Sequence, residues 1–207
     1  MDNPERRERI KEVLAEICSD AEVEARWLNT LSLLEYIGAR KIGKTVASSH
    51  PQRAEVLDHW ADETRHAYAF KRLSEEVSPD GSEYLCEERS KRFFATLDER
   101  ASEWMESVSG TDSEFEKYLL VTTLIERRAM MIYPLYRSAT PHDFVAEELQ
   151  QIVVEEQDHR IAIEENALEL LAGYGIDGLD EPDAIEAELF DELLEAFDQE
   201  ARRLKDD

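Results

Sequence analysis

The chain has 207 residues, of which 42% are hydrophobic, so we expect a single folded domain with a sizeable core and not a disordered chain. Acidic residues number 49 against 24 basic ones, which gives a formal net charge of −25. Such a surface repels phosphate groups, so nucleic acid and anionic membranes are not expected as partners.

The hydrophobic pattern predicts helices and no strands, because apolar residues never alternate with polar ones over a sustained stretch. Asn3 is expected to cap the first helix, Ser19 or Asp20 the second, and Pro134 to kink the fifth. In chain order, the predicted helices span about 4–17, 21–46, 52–77, 82–108, 113–137, 142–172 and 182–204.

The lengths of the connections predict the topology. About five residues join the second helix to the third, and a short turn joins the fifth to the sixth, so each pair should form an antiparallel hairpin. The fourth helix then lies in one long crossover between the hairpins. We therefore expect one domain over 1–207, with a four-helix core at about 21–172 and extra flanking helices.

Two short motifs on the third and sixth helices suggest metal binding. Glu63 and His66 are three residues apart, as are Glu156 and His159. Residues at this spacing lie on one helical face, so each pair can hold a metal ion from one side. The spacing alone is weak evidence in a chain so rich in glutamate, and the assignment depends on its context.

Two lone glutamates supply that context. Glu35 is the only charged residue between Arg26 and Arg40, and Glu126 follows eight uncharged residues. A carboxylate on an apolar stripe would be buried at a cost of several kcal/mol unless a positive charge meets it. Two divalent cations would neutralise four such carboxylates, and the mixed oxygen and nitrogen ligands suit iron or manganese.

In this order of ligands the chain resembles the ferritin-like di-iron carboxylate superfamily, whose pattern is Glu, ExxH, Glu, ExxH on four successive helices. The resemblance covers about residues 21–172 and implies an all-α, ferritin-like four-helix bundle. It implies two iron ions, with manganese or a mixed manganese–iron pair as alternatives. Asp62 and Glu155 hold the places from which an acid supports the histidine of the opposite helix. The metal ligands that it implies are Glu35, Glu63, His66, Glu126, Glu156 and His159.

The resemblance implies a non-haem di-iron oxidoreductase that activates dioxygen or peroxide. We expect an oxidase or oxygenase acting on a small or aliphatic organic substrate, with an external electron donor, as a monomer or homodimer. The alternatives are a ferroxidase or iron-storage protein, a rubrerythrin-like peroxidase, and a manganese catalase. An alternative of another class is a metal-free helical interaction module, and the negative charge disfavours a relative that hydroxylates tRNA.

The remaining residues carry weaker predictions. Cys18 and Cys86 form no CxxC pair, so we expect reduced, buried thiols in a cytoplasmic protein. The charged start predicts no secretory signal, and no apolar run is long enough to predict a transmembrane span. His59, one turn before Glu63, is interpreted as an ordinary polar residue, with support of a metal ligand as the alternative.

Overall fold

The computed structural model describes residues 4–48, 54–79 and 83–206, and of residues 46–48 and 158 it describes the backbone alone. The described residues are helical and contain no strand, as the hydrophobic pattern predicted. The seven helices are α1 (Pro4–Ile17), α2 (Ala21–Ser48), α3 (Ala54–Val77), α4 (Glu87–Ser109), α5 (Glu114–Ala139), α6 (Asp143–Gly173) and α7 (Asp180–Asp206).

The start of α4 differs from its prediction, because the helix begins at Glu87 and not near residue 82. The backbone at Cys86 has a φ of 54°, which lies in the left-handed region and interrupts a helix. The preceding segment is bonded to α2 instead: the hydroxyl of Thr30 donates to the carbonyl of Leu85 and accepts from its N–H, both at 2.9 Å. These tertiary hydrogen bonds replace the helical ones.

The helix ends follow local chemistry. Asp20 caps α2, since its Oδ1 accepts hydrogen bonds from the N–H groups of Glu22 and Val23. Ser113 caps α5 in the same way. Pro134 lies inside α5, which continues to Ala139. The predicted cap at Asn3 falls outside the described residues.

Four helices form the bundle that positions the site. Helix α2 packs along α3, and α5 packs along α6. Because the connections are short, each pair runs antiparallel. Contacts of α2 with α5 and of α3 with α6 complete the four-helix arrangement. Among the described residues, α1, α4 and α7 contact only α2, α5 and one another, so they cover one side of the bundle and leave the α3–α6 side uncovered.

The covering helices share a hydrophobic core with the bundle. The Trp27 ring meets the rings of Tyr136 and Phe197 edge to face, which joins α2, α5 and α7. The buried Arg128 of α5 pairs with the buried Glu186 of α7. Cys18 and Cys86 are buried and free, as predicted. Within the described chain, no helix combines the length and apolar character that crossing a bilayer requires.

Candidate metal centre

The structure brings all six predicted ligand residues together in the middle of the four-helix bundle. Helix α2 contributes Glu35 and α5 contributes Glu126, while α3 and α6 each contribute one glutamate–histidine pair. The four glutamates are at most 8% exposed. The carboxylates of Glu35 and Glu63 are in contact, as are those of Glu126 and Glu156. The cluster is therefore continuous from α2 to α6.

Both histidines turn the same ring nitrogen towards Glu156. Nδ1 of His66 lies 2.7 Å from Oε1 of Glu156, and Nδ1 of His159 lies 3.8 Å from Oε2. Neither contact is a hydrogen bond, and both Nδ1 atoms are buried without a hydrogen-bond partner. Two histidines from different helices thus face the two oxygens of one carboxylate.

Buried atoms that lack a hydrogen-bond partner indicate whether a metal ion would fit this cluster. Besides the two Nδ1 atoms, Oε2 of Glu126 and Oε2 of Glu156 are buried without a hydrogen-bond partner. Buried polar atoms are normally paired, and each one left unpaired costs about 1–3 kcal/mol. Divalent cations bound among these atoms would satisfy all four at once. Oxygen and nitrogen donors of this kind suit iron or manganese.

Two further acids contact Nε2 of the two histidines, the ring nitrogen that points away from Glu156. Nε2 of His66 lies 2.8 Å from Oε2 of Glu155, and Nε2 of His159 lies 3.0 Å from Oδ2 of Asp62. A histidine whose Nε2–H is held by a carboxylate presents the lone pair of Nδ1 to the centre. The half-exposed Arg65 pairs with both acids and joins the two supports.

The electrostatics show where protons are held without a metal. Burial, and then the neighbouring carboxylates, raise the pKa values of Glu35 and Glu126 well above their ordinary range. Burial and Glu156 raise the pKa of Glu63 to about 7. Burial alone would lower the pKa of His66, but its contact with Glu156 outweighs burial and raises the value to about 10. These raised pKa values mean that the four groups hold protons more tightly than usual, and cations bound here would have to displace those protons.

Two polar residues that the predicted ligand set omits also line the cluster. The hydroxyl of Tyr133 donates a hydrogen bond to Oε1 of Glu35. His59, interpreted from the sequence as an ordinary polar residue, is 2% exposed, and its Nε2 lies 3.0 Å from both Glu63 and Glu126. The signal that could have indicated it is its position, four residues before Glu63 and seven before His66 on the same helical face.

A cavity of about 330 Å³ reaches the carboxylates of the cluster from the covered side of the bundle. It passes between α2, α4, α5 and α7, and its walls are mainly aliphatic and aromatic. Charged residues of the lining include Lys41, Lys44 and Lys117. The apolar residues that line it include Leu31, Leu34, Ile42, Phe93, Phe94, Val121, Ile125, Ala129, Ile132, Leu193 and Phe197.

A comparison of the chain with protein-family models, with curated proteins and with solved structures found no match. The residues of the cluster, and the cavity that leads to it, are therefore the features that indicate a function.

Proposed function

We propose that the chain is a ferritin-like, non-haem di-iron oxidoreductase that activates dioxygen or peroxide and oxidises a small or aliphatic organic substrate. One observation carries the proposal. Four buried glutamates and two histidines from four helices converge, and four of their ligand atoms have no hydrogen-bond partner. Structural ion pairs do not leave so many buried acids together without matching cations.

The order of these residues supports a ferritin-like bundle. The lone glutamates come from the first helix of each hairpin, α2 and α5, and the glutamate–histidine pairs come from the second, α3 and α6. Di-iron carboxylate bundles build their sites from this set of residues. Helix α4 occupies the connection between the hairpins and contacts α2, α5 and α7.

The side chains of the cluster have separable tasks in the proposed reaction. Two reduced iron ions, when bound, would supply the electrons that activate the oxidant. Glu35, Glu126 and the two glutamate–histidine pairs would hold those ions, and Asp62 and Glu155 would fix the ring tautomers of the histidines. Tyr133 would keep Glu35 in place through its hydrogen bond. The chain has only two cysteines, so the proposed centre relies on an external electron donor.

The volume and lining of the cavity support the proposal of an organic substrate. Its volume falls within the range of ordinary small-molecule sites, and apolar walls favour an aliphatic chain over a sugar or a nucleotide. A molecule in the cavity would displace water from the carboxylate side of the cluster. Exclusion of water protects a reactive centre from side reactions.

The test is metal content combined with an optical spectrum. The purified chain should take up two ferrous ions per chain without oxygen, and its spectrum should change on exposure to air. His159→Ala should bring the content close to one ion per chain and abolish the spectral change, because it removes one nitrogen ligand.

His142→Ala is the matched control, because His142 precedes α6 and faces Glu24 at 3.6 Å, away from the cluster. It should keep both ions. Failure of the wild-type chain to bind metal, or full loading of His159→Ala, would refute the assignment. Size-exclusion chromatography distinguishes an enzyme from a storage cage, since a cage requires many subunits.

A further inference from the structure

His59 has the surroundings of a metal ligand. It lies on α3, on the face that carries Glu63 and His66. Its Nε2 is 3.0 Å from Oε1 of Glu63 and 3.0 Å from Oε1 of Glu126. These three residues bring their ligand atoms within 4.8 Å of one another, and Glu35, His66 and Glu156 form a second such group. These six residues thus form two sets, each containing two carboxylates and an imidazole, and His159 belongs to neither set.

The two distances are those expected around one cation. Metal–ligand bonds to nitrogen and oxygen are about 2.0–2.2 Å long, so donor atoms at right angles around an ion are about 3 Å apart. A single N–H hydrogen can point well at only one of two acceptors. A cation between the three atoms would satisfy both carboxylates and the imidazole together.

The other ring nitrogen of His59 is also held. Nδ1 lies 3.0 Å from the hydroxyl of Tyr118, which can accept a hydrogen bond from Nδ1–H. With the hydrogen on Nδ1, the lone pair of Nε2 points at two carboxyl groups, so either a proton or a cation must lie between these atoms. His66 and His159 show the same division, with one nitrogen facing the cluster and the other bound to a polar partner.

We propose that His59 is a third histidine ligand, and that its Nε2 shares one metal ion with Glu63 and Glu126. This inference rests on the proposed function, because it requires the centre to hold metal. The ring of His159 lies 4.7 Å from that of His59, so two imidazoles adjoin the same end of the cluster. His66 belongs to the other group, so each ion would have at least one imidazole ligand.

The competing interpretation is a positioning role, in which Nε2–H of His59 donates a hydrogen bond to the carboxylates and never contacts the ion. The two interpretations differ in the number of imidazoles that they place on the metal ions. A bound imidazole keeps one N–H proton, and in a cobalt-loaded protein that proton gives a strongly shifted, exchangeable NMR resonance. Three ligands give three such resonances, and two ligands give two.

The experiment loads the whole chain anaerobically with Co²⁺ and measures cobalt content and proton spectra in H₂O and D₂O. The wild-type chain should bind two ions and show three shifted, exchangeable resonances. His59→Gln, which keeps a hydrogen-bond donor, should lose one resonance and bind its second ion at least tenfold more weakly. His142→Gln is the control and should keep all three resonances.

Tyr118→Phe provides a second variant in case His59→Gln does not fold. It keeps His59 but removes the partner of Nδ1, so one of the three resonances should exchange faster while cobalt content stays at two. Two ions with only two resonances in the wild-type chain would overturn the inference and leave the proposed function intact. No cobalt uptake by the wild-type chain would overturn both.

Discussion

Nε2 of His66 lies 2.8 Å from Oε2 of Glu155, although the two residues are 89 positions apart in the chain. The reciprocal contact joins His159 to Asp62 at 3.0 Å. In each case the acid immediately precedes the glutamate of its own pair and supports the histidine of the opposite helix. Helices α3 and α6 therefore hold each other's histidine rings, and neither pair is positioned by its own helix alone.

Glu155→Ala should weaken metal binding about 10- to 100-fold without unfolding the chain. The change removes the acceptor that fixes the tautomer of His66, and Glu155 is partly exposed, so little packing is lost. Competition with a metal-binding indicator measures the affinity. Glu148→Ala is the control, since Glu148 pairs with Arg72 on the same two helices but touches no histidine. Equal affinities in the two variants would contradict the prediction.

Gly38→Ala should weaken metal binding while leaving the metal-free chain as stable or slightly more stable. A Cβ atom at residue 38 would lie 3.2 Å from Oε2 of Glu63, so that carboxylate would have to move. Alanine is otherwise favoured over glycine in a helix by about 1 kcal/mol. Thermal unfolding with chelator and with Mn²⁺ separates the two effects.

The control for Gly38→Ala is Gly173→Ala in the last turn of α6. A Cβ at Gly173 would meet no atom within 4 Å, so this variant should change neither metal affinity nor the gain in melting temperature on loading. The prediction would be wrong if Mn²⁺ raised the melting temperature of Gly38→Ala by as much as it raises that of the wild-type chain.

Metal should stabilise the fold more at pH 8 than at pH 6. The pKa of Glu63 is raised to about 7 and that of His66 to about 10, so the folded metal-free chain binds protons more tightly than the unfolded chain. The contribution of these two groups to stability is therefore greatest at low pH and is lost as pH rises through these values. Bound cations take the place of these protons. At pH 8 fewer protons compete with the cations for the same atoms, so the metal stabilises the fold more.

Melting temperatures of the chelated and the Mn²⁺-loaded chain at the two pH values test the preceding expectation. Glu126→Gln provides a further check. It removes a buried carboxylate whose pKa is also raised, so the chelated variant should be more stable than the chelated wild-type chain at pH 8. A melting temperature of the chelated wild-type chain that rises from pH 6 to pH 8 would contradict this account.

Glu186→Ala should lower the free energy of unfolding by about 3–5 kcal/mol. Glu186 is fully buried and pairs with Arg128, whose guanidinium lies 3.7 Å from the centre of the Phe190 ring. Removing the acid leaves a buried cation without a counterion. Urea unfolding gives the difference. The control is the exposed Glu188, which lies on α7 like Glu186 and pairs with Arg100 of α4; Glu188→Ala should cost less than about 1 kcal/mol.

The helices and the six clustered residues could be predicted from the sequence because each depends on local spacing. Glycine and proline mark the breaks, and a carboxylate on an apolar stripe indicates burial whatever the tertiary structure. The start of α4 could not be predicted, because Thr30 of α2 fixes the segment before it. The spacing of His59 from Glu63 was visible in the sequence, but its contact with Glu126 was not, since that contact joins two helices at no fixed sequence spacing.

The α3–α6 side of the bundle is uncovered, and Arg65 lies there above the acids that hold both histidines. The cavity reaches the same cluster from the opposite side, past α4 and α7. In the proposed reaction, an electron donor on the uncovered side and a substrate in the cavity would approach the cluster from different directions. Neither would then have to leave before the other arrives.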